Sequence, residues 1–337
     1  MKKLILFFAL VYAPFLSQSQ SLDVFIEGGV DDAEELLKNY FEPAFLGFGY
    51  GLTNNWANTA KPHQPLGFDV TLSLSVAYVP EKATFFTFKP NDYSNVTLAD
   101  PNRDQLPTIF GPNLDADDIP EIIFNEGQQE SEVKFSSPTG LGMEEVIGFN
   151  AVPAPMIQAG LGLIKETDLK IRTIPTYTYK NGDTEVKLGM LGFGILHDMK
   201  QHVPAFAFAP FELSILAGFS RISVETTPDI NTPDNVTRLS VKGATLQVLG
   251  SKDFVKIITL YGGVGLNGAF TRVRLDGSYK IESSLQPLVD PIDFKFSNFS
   301  PRATVGVKLN LAIITINADY TVQKYNTLSM GVGVSVR

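Results

Sequence analysis

Three consecutive runs of strict apolar/polar alternation fill residues 301–337 and constrain the fold more than any other feature of the chain. In the first, Ala303, Val305, Val307, Leu309 and Leu311 share one face and Arg302, Thr304, Gly306, Lys308 and Asn310 the other. In the second, Ile314, Ile316, Ala318, Tyr320 and Val322 oppose Thr315, Asn317, Asp319, Thr321 and Gln323. The third sets Leu328, Met330, Val332, Val334 and Val336 against Ser329, Gly331, Gly333, Ser335 and Arg337. Side chains alternate faces along a strand, so each run is a β-strand with one apolar and one polar side. Soluble strands average about 5–6 residues, whereas a tilted strand needs about 9–11 to cross a bilayer. These runs have the longer measure, and their polar faces carry the charge and glycine of a wet lumen. The pattern predicts the closing edge of a transmembrane antiparallel β-barrel whose apolar side meets lipid. A soluble β-sandwich, whose one-sided sheets also alternate, is the alternative.

The opening residues agree with export. Lys2 and Lys3 precede an apolar stretch over residues 4–16, with Ser17 and Ser19 near a cut before Gln20, the layout of a signal peptide over residues 1–19. No later segment carries about 18 apolar residues in a row, so spanning falls to strands. The chain has no cysteine, which excludes disulfides and thiol chemistry. Its net charge is −9, without a basic cluster, so nucleic acid is not an expected partner.

Residues 20–66 read as a small helical and irregular hatch ahead of the barrel. Asp31 is placed to cap a short helix that Pro43 should end. Phe45, Phe48, Tyr50 and Trp56, interleaved with Gly47, Gly49 and Gly51, then suggest an irregular element packed by aromatics. The barrel is expected over residues 67–337. Its first strand covers residues 68–79, and a proline-rich excursion over residues 80–130 is placed outside as a long external loop. Further strands read near residues 158–164, 169–179, 185–196, 211–226, 236–249, 254–266 and 268–283. Asn181-Gly182 marks a hairpin. Phase breaks around Arg221 and Gly243 predict β-bulges. The total is about 12 strands, or 14 if residues 132–137 and 146–150 both pair.

A hatch followed by a barrel resembles the FadL-type outer-membrane transporters. More closely, the chain is similar to an uncharacterised group of Gram-negative outer-membrane barrels. The likeness is carried by Asn55-Trp56-Ala57-Asn58-Thr59-Ala60, Gly67-Phe68-Asp69, Gly194-Ile195-Leu196-His197-Asp198-Met199-Lys200-Gln201 and Lys324-Tyr325-Asn326-Thr327-Leu328-Ser329. The resemblance implies a cell outer-membrane location, lipid as surroundings, and passive uptake or binding of a small hydrophobic ligand. Phe45, Phe48, Tyr50, Trp56 and Asn58 are the candidate contacts. The other reading is a structural or interaction barrel that uses its long external loop.

No cofactor, metal or enzymatic activity is expected. His197 and His202 have poor spacing for two ligands on one helical turn, and residues 196–203 read as a short helical connection. A hydrolase built on either would need a serine and a carboxylate within reach, and no nucleophile-elbow motif is present. Gly263-Val264-Gly265-Leu266-Asn267-Gly268 fits the dinucleotide fingerprint in letters only, because strand-like residues follow where a helix is required. Asp115, Asp117 and Glu126 take calcium-loop positions, but Pro120 stands where glycine must be.

Overall fold

The structure is a computed structural model and describes residues 30–125, 132–206, 208–229, 232–255, 257–279 and 287–336. The expected signal peptide lies outside these residues. In chain order the elements are α1 (Val30–Leu52), β1 (Phe68–Tyr78), β2 (Phe85–Thr87), β3 (Val96–Leu98), β4 (Gln105–Pro107), β5 (Glu121–Asn125), β6 (Glu132–Ser136) and α2 (Met143–Ile147). Then come β7 (Ala151–Leu163), β8 (Thr167–Asn181), β9 (Thr184–Asp198), β10 (Glu212–Thr227), β11 (Val236–Val255) and β12 (Ile258–Asp276). A small hairpin, β13 (Ser278–Tyr279) and β14 (Leu288–Val289), precedes β15 (Ile292–Leu311), β16 (Ile314–Val322) and β17 (Thr327–Val336).

Ten strands close a barrel in the order β1-β17-β16-β15-β12-β11-β10-β9-β8-β7. The seam pairs β1 with β17 from Phe68↔Val336 to Ala77↔Thr327, and β1 also pairs with β7. Along the seam Val70, Leu72, Met330, Val332 and Val334 are exposed, while Asp69, Thr71, Ser73, Ser75, Thr327 and Ser329 are buried. The same inversion runs round the wall: Ile171, Phe193, Leu246, Leu266, Val305 and Ile316 face out, and Lys170, Arg172, Thr245, Asn267, Arg302 and Asn317 face in. Burying the polar face and exposing the apolar one is costly in water and favourable in lipid, so the barrel is of the membrane-spanning kind.

The barrel has ten strands where 12–14 are expected, for three local reasons. The break expected at Asn267-Gly268, between residues 254–266 and 268–283, does not occur: β12 runs through, and Asn267 turns inward and donates from its amide to Gln323. Residues 146–150 do not pair; Val146 and Ile147 end α2, and Gly148 caps it with positive φ. β6 pairs only with β5, in a three-stranded sheet separate from the barrel. The bulges expected at Arg221 and Gly243 are also absent, since β10 and β11 pair without a slip from Glu212↔Ser251 to Thr226↔Thr237. The phase break instead marks where the outward belt ends: Arg221 is exposed and paired with Lys242. One irregularity does occur, between Ile174 and Tyr177 in the pairing of β8 with β9. The Asn-Gly hairpin is present, with positive φ at Gly182.

The chain divides into two compact units, Met1–Ala44 with Pro80–Asn150 and Arg274–Phe294, and Phe45–Val79 with Ala151–Val273 and Lys295–Arg337. In the first unit, residues 80–125 of the expected loop carry the short strands β2 to β5. Leu36, Leu37 and Tyr40 of α1 are buried, as are Phe88, Leu106, Ile109, Ile122 and Phe124. The Asp32 carboxylate accepts the N–H groups of Ser94 at 2.8 Å and Asn95 at 2.6 Å, and the Tyr40 hydroxyl donates to the Thr139 carbonyl at 2.8 Å. Phe88 stacks on Tyr93, with centroids 4.4 Å apart. Burial pushes the Tyr93 phenol up to about 12 despite its hydrogen bond with Asn39.

Helix α1 corrects two expectations. Asp31 lies in its first turn, and Pro43 lies inside the helix instead of ending it. Pro43 has no N–H to give the Asn39 carbonyl, and glycine costs about 1 kcal/mol in a helix, so propensity argued against these turns. Packing overrides it. Placing Arg at Val332, in the middle of the outward face of β17, should destabilise the barrel by about 2–4 kcal/mol. Urea titration of the protein folded into phospholipid vesicles measures this, and Thr at inward Ser329 should cost less.

Candidate functional site

The C-terminal turns of α1 and the segment that follows fill the barrel lumen. A Cβ on Gly47 would strike Val152 of β7, and one on Gly51 would lie 2.9 Å from Ala154 of the same strand. On the other flank, a Cβ on Gly49 would come within 2.5 Å of Ala269 on β12. In the ring order β7 and β12 stand opposite each other. The helix therefore spans the lumen from wall to wall, and glycines on both flanks make it thin enough to fit.

A helix that ends inside a barrel leaves its last carbonyls without amide partners. Two buried arginines supply them. Arg172 of β8 donates from Nη1 to the Leu52 carbonyl at 3.0 Å and from Nη2 to the Asn54 carbonyl at 2.6 Å. Arg302 of β15 donates from Nη1 to the Thr53 carbonyl and from Nη2 to Asn54 Oδ1, both at 2.9 Å. The cations also face the negative end of the helix dipole, which offsets part of their desolvation. Asp319, which accepts the Tyr261 hydroxyl at 2.9 Å, is buried in the same lumen and supplies the opposite charge.

Trp56 fastens the next residues. Gly194 and Gly218 are register partners on β9 and β10, and a Cβ on either would come within 2.7 Å of the indole. The Arg172 guanidinium lies 3.7 Å from the ring centroid on the indole face. Ala60, Leu196, Leu216 and Leu249 complete an apolar cluster around Trp56.

Past this anchor the segment meets a polar cluster. Ser335, Asp69, Gly160 and Lys170 form one register row across β17, β1, β7 and β8. Gly160 has no side chain in that row, and a Cβ there would strike Asp69. On the next inward position of β7, a Cβ on Gly162 would lie 2.8 Å from the His63 Cβ, so the wall admits His63 only because glycine stands there. His63 Nδ1 is 2.9 Å from Asp168 Oδ2, and the His63 backbone N–H donates to Asp168 Oδ1 at 2.8 Å. The other ring nitrogen, Nε2, is 3.1 Å from Ser335 Oγ. Lys170 Nζ stands 3.5 Å from both Asp69 and Asp168. Among these residues a void of about 10 Å³ remains open to the centre of a water molecule, enough for one.

The predicted ligand contacts are placed as follows. Phe45, Tyr50 and Trp56 are buried, Phe45 beside Phe296 and Tyr50 donating from its hydroxyl to Asn298 at 2.6 Å. Phe48 is half-buried, and Asn58 lines the void. His197 sits on β9 rather than in a helical connection, with its Nε2 2.9 Å from that of His202. Among the described residues no three metal-ligating side chains converge, and Glu126 lies outside them. Sequence reading missed Arg172, Arg302, His63 and Asp168. For Arg172, Arg302 and Asp168 the one visible signal is charge at inward positions of strands.

A model for a family of unknown function, DUF6588, matches residues 1–336. The chain belongs to that family. Among curated proteins none matches. The solved structures it resembles include the attachment invasion locus protein Ail of Yersinia pestis, at 9% identity and TM-score 0.29 over 81% of this chain and 100% of that one. The translocator domain of the autotransporter NalP from Neisseria meningitidis aligns at 12% identity and TM-score 0.28, over 91% of this chain and 98% of that one. A FadL homologue of Pseudomonas aeruginosa aligns at 8% identity and TM-score 0.24, over 87% and 97%. Likeness at this level says nothing of what this family member does.

Replacing Trp56 with Ala should free the segment, at about 3–5 kcal/mol for the buried indole. Proteinase K cleavage within residues 57–66 should then speed up at least about tenfold in folded protein, since that cost exceeds the 1.4 kcal/mol of a decade. Gly218→Val, which fills the indole slot from the wall side, should do the same.

Proposed function

We propose that this family member is an outer-membrane barrel kept shut by its own N-terminal segment, a structural or interaction protein whose working surface is the folded region between β1 and β7. The observation that carries the reading is the filled lumen, with glycine flanks of α1 on opposite walls and two arginines closing its end. A ten-stranded barrel is close to the size that side chains alone can fill, and a resident helix leaves no aqueous path. The outward apolar belt supports insertion in a bilayer, and a barrel that spans by strands suits the outer membrane.

FadL-like uptake of a hydrophobic ligand receives less support. Phe45, Tyr50 and Trp56 are already packed against wall or helix, and the remaining void is lined by Asn, His, Asp and Lys with room for about one water. By default long connections in such barrels face outward and short turns face the periplasm. The region between β1 and β7 is the longest connection, and it carries its own small sheets, as an interaction module would.

Planar-bilayer recording tests closure. The intact chain should show no steady conductance, and a chain lacking residues 20–60 should leak; equal, near-zero currents in both would remove the plug from the account. In cells, deleting the gene should leave uptake of hydrophobic solutes unchanged, whereas removing the inserted sheets should abolish recovery of a surface partner.

A further inference from the structure

We propose that Ser335, His63 and Asp168 form a nucleophile–base–carboxylate relay that makes Ser335 reactive toward small carboxylic esters that reach its half-buried hydroxyl. Three connected distances carry this. Ser335 Oγ lies 3.1 Å from His63 Nε2, the opposite ring nitrogen lies 2.9 Å from Asp168 Oδ2, and the His63 backbone N–H holds the other carboxylate oxygen at 2.8 Å. With Nδ1–H donated to the carboxylate, Nε2 carries the lone pair and faces the hydroxyl, which is the arrangement a serine nucleophile requires.

Burial is graded in the order the chemistry needs. Asp168 is 1% exposed and His63 5%, so the carboxylate and the base are shielded, while Ser335 is only half-buried. Lys170 and Lys308 line the void beside Ser335, Lys170 standing 3.5 Å from Asp69 and from Asp168. The void is large enough for one water, the second reactant of a hydrolysis. Asp168 holds the His63 ring and N–H from one side, and Ser335 meets the other ring nitrogen from the opposite side, so one imidazole bridges the two.

The step balances with water as the only co-reactant. Ser335 Oγ bonds to the ester carbonyl carbon as its proton passes to His63 Nε2. Collapse of the tetrahedral adduct breaks the bond to the alcohol oxygen, which takes the proton from His63. Water, deprotonated by His63, then attacks the acyl-serine and releases the carboxylic acid, and Ser335 recovers its proton.

A fluorophosphonate probe on detergent-folded protein tests this, because it forms an Oγ–P bond and expels fluoride only at an activated serine. Intact mass and peptide mapping should place a single phosphonyl group on Ser335, absent in Ser335→Ala. Labelling should slow at least about a thousandfold in His63→Gln and in Asp168→Asn, in keeping with the loss when a triad member is removed. Because the chain contains no cysteine, Ser335→Cys gives one thiol whose alkylation reports the same pairing without demanding turnover. Near neutral pH iodoacetamide should modify it at least about tenfold faster than in Ser335→Cys with His63→Gln, as a histidine-paired thiol is more ionised. Heat-modifiable mobility on gels checks that each variant is folded. An unlabelled Ser335 in the folded native chain overturns the proposal, as does labelling or alkylation indifferent to His63. Bilayer conductance is independent of either outcome, so failure here leaves the closed-barrel reading intact.

Discussion

A helix ending inside a protein wall must find donors for its last carbonyl oxygens, and here Arg172 and Arg302 are those donors. Much else follows from that requirement. Two guanidinium groups in a lumen need a counter-charge, and Asp319 is buried there, hydrogen-bonded to Tyr261. The flat guanidinium of Arg172 also makes a seat for Trp56, which fixes where the chain leaves the helix and sends His63 toward the glycines of β7. Leaving either arginine unpaired would be strongly unfavourable in so dry a place, so the segment's carbonyls stabilise the wall that holds them.

The wall answers with glycine wherever the segment comes close. Gly194 and Gly218 make the indole slot, Gly162 admits His63, and Gly160 spares the space between Asp69 and Lys170. In an open sheet inward glycines weaken a strand, but here they are the contact surface for a second piece of the same chain. The outward face obeys a simpler rule. It needs only apolar side chains of any shape, which is why Ile, Leu, Val and Phe interchange freely along it.

The two faces differ in the same way in how much sequence reveals. Period-two alternation in residues 301–337 gave the barrel, its lipid-facing side and the closing strands nearly to the residue, because strand periodicity is a local property. Strand number was less legible, since a lumen-facing Asn267-Gly268 looks the same as a turn. The glycine-aromatic stretch over residues 45–51 misled because local propensity and Pro43 both speak against a helix that only the surrounding wall makes worthwhile. The polar cluster was hidden for a plainer reason. His63 lies 105 residues from Asp168 and 272 from Ser335, and no spacing rule reaches across such separations. His197 and His202, five residues apart, are the pair that spacing makes visible, and their rings face each other.

The seam gives that separation a further meaning. Ser335 sits two residues from the end of the chain, on the strand that pairs with the first strand of the barrel, while His63 immediately precedes that first strand. The hydroxyl and the imidazole meet only once the two ends of the wall have zipped together. A chain whose first and last barrel strands have not paired carries a plain serine and a plain histidine. Whatever reactivity the lumen holds is thus switched on by completion of the architecture itself, and an unassembled copy travels chemically disarmed.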